Sequence, residues 1–580
     1  MDSENNSNVE IKINDYFKLP IHYIENKSIN KNTINDLELI ETKDNSMRSL
    51  YHYYFNLEDN NYFSNTISKQ FSEKYTTNKT YLYASQKLVK EYEFNNSYKN
   101  NICCHYNLIN IWNEIKNDNG FKEKYQYIDW KFFEYLNHSE QFLQLMSIYN
   151  LIGPILTFIT PIIILIIPFL VLKIKKLDIN FNEYISVLKQ IASDHAIGKL
   201  FTTNFKDIKP QECATLIISA GFYIFTMYQH ALTFIRFNEN MKIIHDYLIT
   251  LNDYLTYSID QIDNFTNFSN ELETYQQFNT ICRSKYNILL EIKNQLANIS
   301  EYKLCNYKKI MEIGKVLKIF YQIYENSSYN DAIIYSFGFH GYIDCINGLQ
   351  QNIIDNKINL CEFSKINCEI KNCYYGILKE ESPVKNDINF KKNIIITGPN
   401  ASGKTTIMKS TIINLICSQQ LGCGFYERAT IKLFHHIHCY LNIPDTSGRD
   451  SLFQAEARRC KDIINCVEQY PDESHFCIFD ELFSGTNPEE AILSAQSFLS
   501  YLTKNKQINF LLSTHFVKLC KKLKSNKYIN NYCMQIKKDT KNNIIYNYKF
   551  KKGISSVKGG INILNALNYP KEILNKCTKD

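Results

Sequence analysis

"NIIITGPNASGKTTIM", Asn393–Met408, is the stretch whose reading decides the fold. The apolar run Ile394–Thr397 reads as a buried strand that ends at Gly398, and "TTIMKSTIINLIC" reads as the helix that follows. Between them, Gly398, Pro399, Asn400, Ala401, Ser402, Gly403, Lys404, Thr405 and Thr406 fit G-x-x-x-x-G-K-[ST] without a mismatch. A loop of this kind turns backbone N–H groups and a helix N-terminus toward phosphate. Lys404 is placed to bridge β- and γ-phosphates, and the Thr405 hydroxyl to bind Mg2+. The expected ligands of such a loop are a nucleotide and Mg2+.

Two strand ends further on belong to the same chemistry. "HFCIFDE", His475–Glu481, is an apolar run that ends in two carboxylates. Asp480 suits the metal, and Glu481 suits the polarisation of an attacking water. "FLLSTHF", Phe510–Phe516, ends in Ser513, Thr514 and His515, polar groups able to sense a γ-phosphate. Strands and helices alternate from about residue 383 to 515, which predicts an α/β domain over 383–545.

These motifs together resemble the MutS family of DNA mismatch-repair ATPases over about 383–580, a third of the chain. The similarity extends to "LGCGFYERATIKLF" and to "SGRDSLFQAEARRCKDII", with Ser451, Phe453 and Glu456. It also takes in "FDELFSGTNPEEA", "STHF" and the closing stretch 548–574. The resemblance implies a dimer, of this chain or with a related subunit, whose sites are shared. Ser447 and Ser451 of one subunit would reach the γ-phosphate held by the other, and 546–580 would be a helical dimerisation segment. It implies a histidine switch at His515 and double-stranded DNA as partner, in mismatch repair or recombination. An ABC-type ATPase is the weaker match, because "DSLFQAE" stands where L-S-G-G-Q is expected.

Elsewhere the sequence departs from that pattern. "FSE" (71–73) and "FFE" (132–134) match the family's Phe-x-Glu mismatch reader only as tripeptides, and both read as core aromatics. Residues 1–45 are polar and Asn-rich and are expected to be loose. Residues 46–380 read as mainly helical, and the family resemblance implies a lever and clamp pair in the helices from 240 to 380, so the whole is expected to be an α+β multidomain chain with a helical tail. Within it lies "LIGPILTFITPIIILIIPFLVL", Leu151–Leu172, 22 residues without a charge. As a helix it spans about 33 Å, enough for a bilayer core of about 30 Å. Pro154, Pro161 and Pro168 interrupt it at seven-residue intervals, and "KIKK" closes it. A second charge-free run covers 214–235. Membrane contact through these runs, with anchoring in place of mismatch recognition, is the rival reading. The segment 173–213 carries seven lysines against five acidic residues, a balance suited to the cytosolic side.

The bulk numbers bound the rest. With 580 residues the chain has room for about three or four domains. A net charge of +6 is spread too thinly to argue for nucleic acid by itself. Eighteen cysteines without a CxxC pair point to free thiols in a reducing compartment. The polar opening is unlike a secretory signal. The expected location is intracellular, in cytoplasm or nucleus, with membrane association on the rival reading. "HHIHC" (435–439) reads as a strand rather than a metal site, because adjacent strand side chains face opposite ways. Cys361, Cys368 and Cys373 are spaced unlike zinc pairs.

Overall fold

A computed structural model describes residues 13–44, 47–94, 102–117, 120–174, 181–194, 210–297, 299–304, 306–379, 381–441, 451–538, 544–555 and 569–570. It divides into two compact units, residues 107–259 with 287–332, and residues 1–106 with 260–286 and 333–580.

The first of these units is helical. Helix α1, Glu140–Ile174, contains the charge-free run, and helix α2, Pro210–Ser269, is 60 residues long, of which 210–259 belong to this unit. The two lie antiparallel: Tyr149 and Gly153 meet the His230 ring, and the Tyr223 hydroxyl donates to Thr157 O at 2.6 Å. The start of α1 is held to helix α3, Tyr307–Glu325, by the Gln144 amide, which donates to Ile310 O at 2.9 Å and accepts from Gly314 N at 2.8 Å. Beyond these contacts both helices turn apolar side chains outward. Phe158 is 65% exposed and Phe222 68%.

The second unit is built on two large sheets, with a two-stranded pairing of Lys27–Ser28 and Lys74–Tyr75 besides. Strands β1 (Asn359–Ser364), β2 (Glu369–Cys373) and β3 (Asn386–Asn389) precede the buried strand β4 (Asn393–Thr397). After the phosphate-loop motif come helix α4 (Lys404–Leu421), β5 (Cys423–Gly424), β6 (Arg428–Lys432) and β7 (His436–Tyr440). Then follow α5 (Leu452–Gln469), β8 (His475–Asp480), α6 (Pro488–Leu502), β9 (Ile508–Thr514), β10 (Ile529–Lys538) and β11 (Ile544–Lys552). The larger sheet has the order β11-β10-β4-β9-β8-β7 and is parallel except for β11. The smaller has the order β3-β2-β6-β1-β5. Every residue of β4 is buried, as expected of a central strand covered on both faces. Phe479, Phe498, Phe510 and Leu499 fill the core between this sheet and α6.

Four expectations change. Residues 13–44 are packed rather than loose: Ile13, Phe17, Leu19, Leu37 and Leu39 are fully buried, and the Phe17 ring sits 5.2 Å from that of Tyr335. A few apolar anchors fix an Asn-rich segment whose average composition hides them. Apart from Lys74–Tyr75, which pairs with Lys27–Ser28, strands enter the stretch expected to be helical at Asn359, where β1 and β2 pair with β6 rather than with each other. Residues 546–552 extend an edge strand instead of opening a helix, since β11 pairs along β10; 556–568 and 571–580 lie outside the described residues. Of the two tripeptides, Phe71 is buried as expected, but Phe132 is 72% exposed, on a turn where only Phe133 and Trp130 flank it.

Candidate phosphate-loop site

The site lies where β4, β8 and β9 end together. Asp480 is in register with Ser513, and Ser513 with Ile396, so parallel pairing alone brings three separate motifs to one sheet edge. The loop leaves β4 through Gly398 and enters α4 through Gly403, whose φ of +91° is left-handed and strained for any residue with a Cβ. Ala401 and Glu481 hold positive φ despite their side chains, at 61° and 53°. Such backbone strain is characteristic of binding and catalytic turns.

Lys404 is 6% exposed, and its ammonium donates to Gly398 O at 3.0 Å and Pro399 O at 3.2 Å. Burial pulls its pKa below the ordinary lysine value, while the charges of Glu481 and Asp480 oppose that shift. The Thr405 hydroxyl donates to Asp480 Oδ2 at 2.9 Å, and the Ser513 hydroxyl to Asp480 Oδ1. Glu481 lies 3.5 Å from His515 Nδ1. That contact holds the carboxyl below its usual range, burial acts against it, and Lys404 adds to the lowering. Glu481 is therefore ionised at neutral pH, as a proton acceptor must be.

Asp480 and Glu481 line a cavity of about 550 Å³ together with Asn400 to Thr406, Tyr440, Leu452, Glu456, Ser484 and Tyr548. An ammonium, a hydroxyl and a carboxylate beside a left-handed glycine turn are a donor set suited to phosphate oxygens and a hard divalent cation.

Of the residues singled out from sequence, Gly398 to Thr406, Asp480, Glu481 and His515 are brought together. Ser451 sits at the N-terminus of α5, where its hydroxyl accepts from Gln454 N at 3.3 Å and Gln454 answers with a bond to Ser451 N at 3.0 Å. Ser447 lies outside the described residues.

Two participants were not singled out as site residues. Glu456 is 2% exposed and accepts from Ser484 N at 3.0 Å, Ser484 Oγ at 3.0 Å and Gly485 N at 3.2 Å. It thus ties α5 to the turn after the two carboxylates. Its position in the Ser-x-Phe-x-x-Glu pattern was the available signal. Tyr548 lies against Gly403 and also borders a neighbouring cavity of about 390 Å³ with Tyr374, Tyr375 and Thr406. No local pattern announces it, because β11 reaches the loop only through sheet pairing.

Fold and site define an α/β domain built around a phosphate-loop motif, with carboxylates on the neighbouring strand. Residues 394–580, the C-terminal third of the chain, match the family model described as MutS domain V. It is 29% identical over 204 residues to DNA mismatch repair protein MutS of Prochlorococcus marinus (strain AS9601), which covers 34% of this chain and 22% of that protein. The MutS of Listeria welshimeri is 26% identical over 208 residues, 35% of this chain and 24% of the relative. That of Oceanobacillus iheyensis is 26% identical over 208 residues, with 35% and 23% covered. The matched segment thus spans less than a quarter of these relatives.

Proposed function

We propose that the chain is a MutS-like ATPase that binds ATP with Mg2+, hydrolyses it, and works as a dimer on double-stranded DNA. The observation that carries the nucleotide part is the convergence of Lys404, the Thr405–Asp480 pair and Glu481, itself 3.5 Å from His515 Nδ1, on one cavity. Lys404 exchanges its loop carbonyls for phosphate oxygens. Thr405 and Asp480 would hold Mg2+, which when bound supplies charge neutralisation at the phosphates. Glu481 takes a proton from water as the water oxygen bonds to the terminal phosphorus and the bridge to the β-phosphate breaks, giving ADP and phosphate. His515 orients Glu481. Ser447 and Ser451 are proposed to act across a dimer, in line with the family resemblance, and the DNA role rests on the relatives' names. Binding of a fluorescent ATP analogue tests the core of this reading: Lys404→Ala is expected to weaken it by about tenfold or more, some 1.4 kcal/mol. Affinity unchanged in the variant would remove Lys404 from the site.

A second reading is favoured by α1 and α2. Ile155, Phe158, Ile162, Ile163, Ile217 and Phe222 are each more than 40% exposed, and one stretch among the described residues, Glu140–Thr160 of α1, is long and apolar enough to cross a bilayer and only 22% buried. Isolated exposed apolar side chains are ordinary, but a continuous surface of this kind is a contact surface. On this reading the antiparallel pair inserts into a membrane and anchors the ATPase there.

A further inference from the structure

At the other end of β8 from Asp480, about five residues or roughly 17 Å along the strand, three imidazoles and a thiol gather. His436 and His475 are in register on β7 and β8, His438 follows His436 on the same face, and Cys466 comes from α5. One ligand atom from each of His436, Cys466 and His475 lies within 4.8 Å of the others, the one such group among the described residues.

We propose that His436, Cys466 and His475 bind a thiophilic divalent cation of the zinc class, at a site separate from the phosphate loop. The hydrogen bonds around the rings already select the ligand atoms. His436 Nε2 lies 2.7 Å from Glu473 Oε2, and His475 Nε2 lies 2.9 Å from Tyr470 O. Both partners only accept, so each Nε2 carries the proton and each Nδ1 keeps its lone pair. A carboxylate or backbone carbonyl behind a ligating histidine is the usual support of a metal site. His436 Nδ1 lies 3.5 Å from Cys466 Sγ. A tetrahedral ion with metal–nitrogen and metal–sulfur bonds of about 2.05 and 2.3 Å sets that edge at about 3.6 Å.

Without metal, the thiol proton occupies the Cys466–His436 contact and His438 Nε2 donates to His475 Nδ1 at 3.2 Å. Binding releases the thiol proton and requires the His475 ring to turn out of its stack with His436, now 4.6 Å and 15°. Solvent supplies the fourth ligand, since Cys466 and His436 are only half-buried.

Cobalt(II) titration of the full-length reduced chain tests this directly. One equivalent is expected to produce a thiolate-to-cobalt charge-transfer band that zinc(II) abolishes. Cys466→Ser should remove the band with its melting curve preserved, and His436→Gln, a second variant, should weaken binding at least tenfold. Glu473→Gln should keep the band at about tenfold lower affinity. Cys439→Ser, a buried thiol outside the cluster, should leave it unchanged. No band at stoichiometric cobalt, or a band that survives Cys466→Ser, overturns the proposal.

Discussion

Glu481 carries the most specific demand on a single side chain. It must stay ionised, hold a left-handed backbone and face the cavity, and the His515 contact serves the first of these. Glu481→Gln is expected to keep ATP-analogue binding while phosphate release falls by about 10²-fold or more. Parental turnover in that variant would exclude Glu481 as the proton acceptor. His245 supplies a pH signature. It is 2% exposed, donates from Nδ1 to Met241 O at 2.7 Å, and burial lowers its pKa. The unfolded chain binds a proton there near pH 6.5 and the folded chain does not. Its contribution to stability is thus complete above that pH and is lost as pH falls below it, by up to about 1.4 kcal/mol per pH unit. Denaturation midpoints of His245→Gln should fall less steeply than the parent's across that window; parallel curves would exclude the residue.

At the scale of elements, α4 shows how local geometry is bound to distant packing. Gly422 ends it at φ +75°, donating to Ser418 O at 3.0 Å, and a Cβ there would come within 2.5 Å of Gln86. Gly422→Ala combines left-handed strain of about 1–2 kcal/mol with that clash. Chemical denaturation should therefore show a loss of more than about 2 kcal/mol. Helix α5 tests the composite site. Ser451→Ala should cost about 1 kcal/mol through its cap alone. If Ser451 also serves a partner's phosphate, mixing this variant with Lys404→Ala restores turnover above the sum of the two separate rates; simple additivity would confine Ser451 to its own helix. The strands that carry motif residues, β4, β8 and β9, were legible because each ends an apolar run in a polar cluster. Strands β1, β2 and β11 were not, since short alternating stretches rich in Asn, Lys and Cys become strands only when a neighbour supplies their hydrogen bonds.

For the whole molecule, the question is which surface meets which partner. If α1 and α2 enter a bilayer, the full chain stays with membranes after a high-salt wash and needs detergent to leave them. A monodisperse parent protein in plain buffer would sink the membrane reading and leave DNA as the partner to pursue. DNA binding should weaken steeply with salt, because lysine–phosphate contacts release counterions. Matched and mismatched duplexes are expected to bind within about tenfold, 1.4 kcal/mol. Of the Phe-x-Glu tripeptides, Phe71 is committed to the core, while Phe132 is exposed and its Glu134 is engaged by Lys122 at 2.6 Å and Tyr321 at 3.1 Å. A hundredfold preference for a mismatch in gel-shift titrations would reopen that question.

The sequence by itself determined the phosphate-loop motif, the two carboxylates at the end of β8 and the charge-free runs of the long helices. In each case the information is local: fixed spacing after a strand, or an uninterrupted absence of charge. The tertiary structure alone decided that Phe17 and its neighbours anchor an Asn-rich segment, that Tyr548 reaches Gly403, and that His436 and His475 stand side by side with Cys466. Those relations depend on strand register and helix docking, which bring together residues tens or hundreds of positions apart, and no periodicity within one segment encodes them.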